Sequence, residues 1–174
     1  MKKILSLILM TGVTFAVSGQ QQKGDIQAQA QFSYTSMTVS VSGSSQTVSI
    51  GQLYMNASKF ITDNVELGVS PILSFVKYSG DSQTSLKFSA FANYSFLTDN
   101  AKLVPYAGGQ LIVDTGAIDV DTGKQKTALG FGIKGGLRYF VTENINVDMG
   151  PSYSFYSNTN LLIFNIGLGY LFKK

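Results

Sequence analysis

At 174 residues the chain is sized for a single domain. It holds neither Cys nor His, which excludes disulfides, thiolate metal sites, the commonest zinc ligand and the usual general base. Only 13% of residues are charged, and the net charge of +3 includes Lys2 and Lys3, so there is no basis for nucleic-acid binding.

The chain opens on those two lysines, the apolar run "ILSLILMTGVTFA" (4–16) and the small residues of "VSGQ". A positive start, a short apolar core and small residues before a break form the pattern of a secretory signal peptide. Residues 1–19 are therefore expected to be a cleaved leader and 20–174 the exported domain. No later stretch supplies the ~20 continuous apolar residues of a membrane helix.

From residue 25 onward apolar and polar side chains alternate with period two, as in extended strands with two unlike faces. "DIQAQAQFSYT" (25–35) sets Ile26, Ala28, Ala30, Phe32 and Tyr34 against Gln27, Gln29, Gln31, Ser33 and Thr35. "VELGVSPILSF" (65–75) and "SLKFSAFANYSF" (85–96) repeat the habit, and "LLIFNIGLGYLF" (161–172) closes the series. Eight strands are expected, at about 25–37, 47–60, 65–78, 85–97, 102–114, 125–140, 145–157 and 161–172. They exceed the ~5–6 residues of an ordinary strand and suit the ~9–11 tilted residues that cross a bilayer core. Two features disturb the pattern. Strand two changes phase, with Val48 and Ile50 on even positions and Leu53, Met55 and Ala57 on odd ones, which predicts a bulge near Gly51–Gln52. Pro71, Pro105 and Pro151 each remove a ladder donor, and so predict bulges or rim positions.

The junctions fall into two kinds. "FITDN" (60–64), "FLTDN" (96–100) and "FVTEN" (140–144) join strands two to three, four to five and six to seven. Thr, the acid and Asn suit a tight turn, and the leading aromatic suits a water–lipid boundary. The other junctions, at 40–46, 79–84, 114–124 and 157–160, are more variable and mostly longer, and the loops at 36–46 and 114–124 are the expected contact region. Short turns on one rim and variable loops on the other are the asymmetry of an outer-membrane barrel.

A soluble sandwich would use the same alternation with its faces reversed. Against it, the polar face is built from Gly, Ser, Asn and Gln, with Gly68, Gly108, Gly130, Gly132, Gly136, Gly150, Gly167 and Gly169 among them. Such small residues suit the cramped interior of an eight-stranded barrel. Aromatics near strand ends (Phe75, Tyr94, Phe96, Tyr139, Phe155, Tyr170, Phe172) suit interfacial girdles. The expected fold class is all-β: an eight-stranded antiparallel up-and-down transmembrane β-barrel. On its inward parity lie Glu66, Lys87, Asp114, Lys134, Arg138 and Asp148, three acids and three bases. These are expected to form salt-bridged networks that plug the lumen, because an unpaired buried charge is costly. A narrow water or ion path between the pairs is the alternative.

The last strand, "NIGLGYLF", carries Asn165, Gly167, Tyr170 and Phe172, and "VPYAGGQL" (104–111) adds a weaker likeness. On these features the chain resembles the small eight-stranded outer-membrane barrels typified by the OmpA transmembrane domain and OmpX. The final strand is similar to the C-terminal assembly signal of that family, although Lys173 and Lys174 follow the aromatic. The resemblance implies an integral outer-membrane protein with both termini periplasmic and no cofactor. It implies outer-membrane lipid and lipopolysaccharide as surroundings, the barrel-assembly machinery as a transient partner, and a monomeric state. It implies a non-catalytic role in envelope integrity, adhesion or host contact through the outer loops, with a porin-like channel as the alternative. Some barrels of this size modify lipid A, but the His-containing sites that such resemblances rest on have no counterpart here.

Three motifs carry less than they suggest. "DTGA" (114–117) matches the catalytic string of aspartic proteases, but its second copy, "DTG" (121–123), lies in the same connection, so turn chemistry is expected. "GFGIKG" (130–135) satisfies G-x-G-x-x-G, yet strand alternation continues after it where a helix is required. "DVDTG" (119–123) starts like a calcium loop and lacks the closing Glu.

Overall fold

Successive side chains of an extended chain point to opposite faces, so a long alternating sequence gives a sheet with one apolar and one polar side. Here that sheet closes on itself. The structure, a computed structural model, describes residues 21–41, 44–78, 81–100, 102–118, 125–156 and 159–174. Its strands are β1 (Ile26–Val41), β2 (Ser44–Phe60), β3 (Val65–Tyr78), β4 (Asp81–Ser95), β5 (Leu103–Ile118), β6 (Gln125–Phe140), β7 (Ile145–Tyr156) and β8 (Thr159–Phe172). Each pairs antiparallel with its sequence neighbours, and β1 pairs with β8 to close the barrel. The leader expected over 1–19 and the 119–123 motif lie outside the described residues.

The apolar face points outward. Leu129, Leu111 and Leu168 are 71%, 68% and 64% exposed, while Gln27, Glu66 and Arg138 inside are at most 2% exposed. The girdle aromatics Phe75, Tyr94, Phe96, Tyr170 and Phe172 are exposed on the same outer surface. Only a surrounding apolar medium makes this arrangement favourable, since water would leave the exterior unburied and hydrocarbon satisfies it.

The strands extend further at the loop rim than the sequence pattern indicated. β1 runs to Val41 and β2 starts at Ser44, so most of the loop expected at 36–46 is hairpin, and β5 runs to Ile118 through part of the loop expected at 114–124. The bulge expected near Gly51–Gln52 is absent: β1–β2 pairing keeps one register from Ile26–Lys59 to Val41–Ser44. Val48 and Ile50 therefore face inward, and the phase change records a change in lumen lining rather than in backbone. A register shift occurs instead in β5 between Asp114 and Ala117, at the "DTGA" string. There the Gly116 amide donates to Asp114 Oδ1 at 3.0 Å and Thr115 Oγ1 donates to the Leu86 carbonyl at 2.6 Å. The Asp-Thr-Gly chemistry builds a bulge, as its residue types favour.

Pro71 and Pro151 interrupt pairing without shifting register. The β2–β3 ladder lapses between Tyr54–Ile72 and Ala57–Val69, and β6–β7 lapses between Lys134–Ser152 and Leu137–Met149. Pro105 lies just beyond the last β4–β5 pair, Ser95–Tyr106, where its carbonyl accepts from the Phe96 amide. The missing donors are thus accommodated locally.

The turns after β2 and β6 are the same device twice. Thr62 Oγ1 accepts from the Asn64 and Val65 amides at 3.3 and 2.9 Å, and Thr142 Oγ1 accepts from Asn144 and Ile145 at the same two distances. Asn64 Nδ2 then donates to the Ser95 carbonyl, and Asn144 Nδ2 to the Leu171 carbonyl, tying each turn to the next strand but one. The third turn differs, with Thr98 Oγ1 donating to the carbonyls of Asn100 and Leu103.

One expectation for these turns fails. Phe60 and Phe140 do not sit at the water–lipid boundary; both are fully buried inside the barrel, while Phe96 is 51% exposed. The even parity of β2 and β6 forces this, since strand alternation puts Phe60 and Phe140 on the face of Ser58 and Arg138.

Candidate functional site

The lumen is the candidate site, and its floor is apolar. Phe60, Val104, Phe140 and Leu171 form a fully buried cluster at the turn rim. Below them the segment before β1 folds across the end. The Gly24 amide donates to the Phe60 carbonyl, and Asp25 accepts from the Lys174 and Gln22 amides at 3.1 and 2.9 Å. Asp25 thereby joins the two ends of the described chain beside the β1–β8 closure.

Above the floor lies an ionic network. Arg138 Nη2 meets Glu66 Oε2 at 3.1 Å across the lumen, and its Nε faces Asp148 Oδ2 at 3.4 Å on the neighbouring strand. Glu66 also accepts from Ser58 Oγ and from Asn93 Nδ2. Asp148 Oδ1 accepts from Tyr106 Oη at 2.7 Å and from Gln31 Nε2 at 2.9 Å. The Arg138 guanidinium lies 5.6 Å from the Phe60 ring centroid and 5.5 Å from that of Tyr106. Charges taken out of water are tolerable when they are paired and further hydrogen-bonded, and both carboxylates meet that condition.

Lys134 stands higher, 3.6 Å from the Phe91 ring centroid, where a cation is drawn to the face of the π system. Glycines make room for this ring and for that of Tyr106. A Cβ at Gly68 would collide with the Phe91 ring, and one at Gly136 would lie 2.9 Å from Tyr106 Oη. Small residues on β3 and β6 thus leave room for Phe91 and Tyr106, two of the inward aromatics that face a cation. A polar cavity of about 10 Å³, the scale of one water, is lined by Tyr54, Ser70, Phe91, Lys134, Ser152 and Asn165.

Toward the loop rim Lys87 Nζ meets Asp114 Oδ2 at 2.7 Å across the β4–β5 pair that these residues form. The β5 bulge follows Asp114 directly and one of its amides holds the carboxylate.

The structure therefore places all six sequence-predicted charges in the lumen and divides them into an inner group (Glu66, Arg138, Asp148, with Lys134 above) and an outer pair (Lys87, Asp114). Sequence reading missed Phe91 and Tyr106, although the parity of β4 and β5 already points them inward. It also missed Ser58, Asn93 and Gln31 as carboxylate donors, for which no local signal exists. Of the last-strand residues, Asn165 is inward and donates to Ser152 Oγ at 3.1 Å, and Gly167 packs against Gln31. Tyr170 and Phe172 face outward, their rings edge to face at 4.7 Å.

A closed eight-stranded antiparallel cylinder, greasy outside and salt-bridged inside, is the architecture of the small outer-membrane β-barrels. Among solved structures the chain is similar to the N-terminal β-barrel domain of Pseudomonas aeruginosa OprF, at 23% identity and a TM-score of 0.59, covering 87% of this chain and 100% of that one. It is similar to OprG from the same organism, at 16% identity and 0.62, covering 91% and 100%. Neisserial surface protein A matches at 21% identity and 0.56, covering 87% and 98%. No protein-family model and no curated protein matches the chain. The likeness is one of fold.

Proposed function

We propose that the protein is a non-catalytic, closed barrel of the outer membrane, with its turns toward the periplasm and its loops toward the exterior. It acts as an envelope component and a surface-interaction platform through the loop rim. The observation that carries this reading is the lumen: Arg138 bridges two carboxylates across it, and the Phe60–Val104–Phe140–Leu171 cluster lies beneath. The apolar exterior and the barrels it resembles support the membrane placement. Tyr170 and Phe172, on the outer face of the last strand, are the proposed contact for the assembly machinery.

The purified protein refolded into a planar lipid bilayer provides the test. A closed lumen predicts no reproducible single-channel steps; stable steps of uniform size would favour a narrow pore instead. Membrane placement is checked separately by heat-modifiable migration on a gel and by fractionation, where recovery from the soluble periplasm would overturn it.

A further inference from the structure

The barrel is not sealed evenly. β1 and β8 pair from Ile26–Phe172 only as far as Ser33–Asn165. Both strands continue: β1 runs on to Val41, paired with β2, and β8 has already run from Thr159, paired with β7. No cross-strand pair joins Tyr34–Ser36 to Leu162–Phe164, so above Ser33 and Asn165 two strand edges face each other unzipped. The β4–β5 ladder also ends early, at Lys87–Asp114, but there Thr115 Oγ1 still bonds the Leu86 carbonyl across the gap.

What lies behind the open seam is aliphatic. Ile163 and Ile72 are buried and pack with Tyr54 and Leu161. Ile50, opposite Thr35 of β1, and Val48 are half-buried on the same inward face of β2. Leu161 and Ile163 on β8, Val48 and Ile50 on β2 and Ile72 on β3 thus form an aliphatic stretch of inner wall to either side of β1, separated from the apolar floor by the ionic network. Val48 and Ile50 are the two whose even positions break the phase of strand two. Outside, the seam is flanked by Tyr34, Leu162 and Phe164, each at least 59% exposed on the lipid-facing surface. Below, the ionic network and apolar floor close the axial way to the turn rim.

We propose that the upper β1–β8 seam is a lateral port through which the acyl chain of a membrane lipid reaches the aliphatic patch of the outer lumen. This rests on the membrane placement given above. The wall on both sides of the gap is hydrocarbon-like, the chain comes from the leaflet that already touches Leu162 and Phe164, and a single extended acyl tail is the shape that enters between two strands. An acyl chain offers the backbone groups on the two edges no hydrogen bond, so the port requires that water from the loop rim meet them.

The test uses the unmodified protein, methyl-labelled at Ile, Leu and Val, in bicelles of protonated dimyristoylphosphatidylcholine. Nuclear Overhauser contacts from acyl methylene protons are expected at the inward methyls of Ile163, Leu161 and Ile50, and at the outward methyls of Leu111 and Leu168. None is expected at Val104 and Leu171 in the floor. Contacts confined to the outward methyls would overturn the port and leave the membrane placement standing; contacts at neither set would overturn both. Amide exchange gives a second reading: seam-facing amides within Tyr34–Ser36 and Leu162–Phe164 should exchange about 10-fold or more faster than those within Gln27–Ser33. Equal protection along the whole seam would mean that it is zipped.

Discussion

Arg138 on β6 reaches Glu66 on β3 at 3.1 Å, although 72 positions separate them in the chain. The same guanidinium holds Asp148 on β7, so one cation joins three strands through the middle of the barrel. Replacing it isolates two buried carboxylates at once. Arg138→Met is expected to lose about 3–5 kcal/mol, the cost of stranding a buried charge. Urea unfolding in lipid vesicles measures this; a loss below about 1 kcal/mol would mean that water, not Arg138, meets the carboxylates.

Phe60 and Phe96 hold the same place in the repeated turn sequence, yet one is fully buried and the other 51% exposed. Phe60→Ala should cost about 3–5 kcal/mol through the cavity it opens in the floor. Phe96→Ala, which loses an edge contact with Tyr94, should cost about 1 kcal/mol or less. Comparable losses for the two variants would contradict the inward floor.

Thr62 and Thr142 accept the same pair of amide bonds at matching distances. Alanine at either should lower stability by a similar amount, about 1 kcal/mol per lost bond, without altering the gel shift of the folded barrel. Unequal effects would mean that the two turns, alike in geometry, carry different loads.

Gly68 leaves the space that the Phe91 ring occupies beneath Lys134. Gly68→Val is expected to displace the ring and to destabilise the barrel by about 1–3 kcal/mol through overpacking. The double variant Gly68→Val with Phe91→Ala should recover part of the loss. Failure of the second change to restore any stability would place the strain in the backbone rather than at the ring.

Much of this barrel was legible from spacing alone. β3 and β6 have the limits the alternation indicated, and the parity that marks Leu67 as outward also marks Glu66 as inward. The misreadings share a cause. Phe60 and Phe140 look like boundary aromatics because their neighbours form a turn, but strand parity outranks local turn chemistry at the final residue of a strand. Val48 and Ile50 look like a slipped register because an apolar residue is assumed to face lipid. Their strand is regular, and the lumen itself is apolar at that level.

What the sequence determined by itself is every property that depends on a residue and its near neighbours. Alternation sets the face of each side chain, Thr and Asn at fixed offsets set the turns after β2 and β6, and Asp-Thr-Gly sets the bulge, because each is a matter of local sterics and short-range hydrogen bonds. The tertiary structure alone decided which levels meet across the cylinder: that Arg138 faces Glu66, that Lys134 lies over Phe91, and that β1 and β8 part above Ser33. Those depend on how far each strand is staggered when the sheet closes, a quantity shared by all eight strands and encoded in none of them singly.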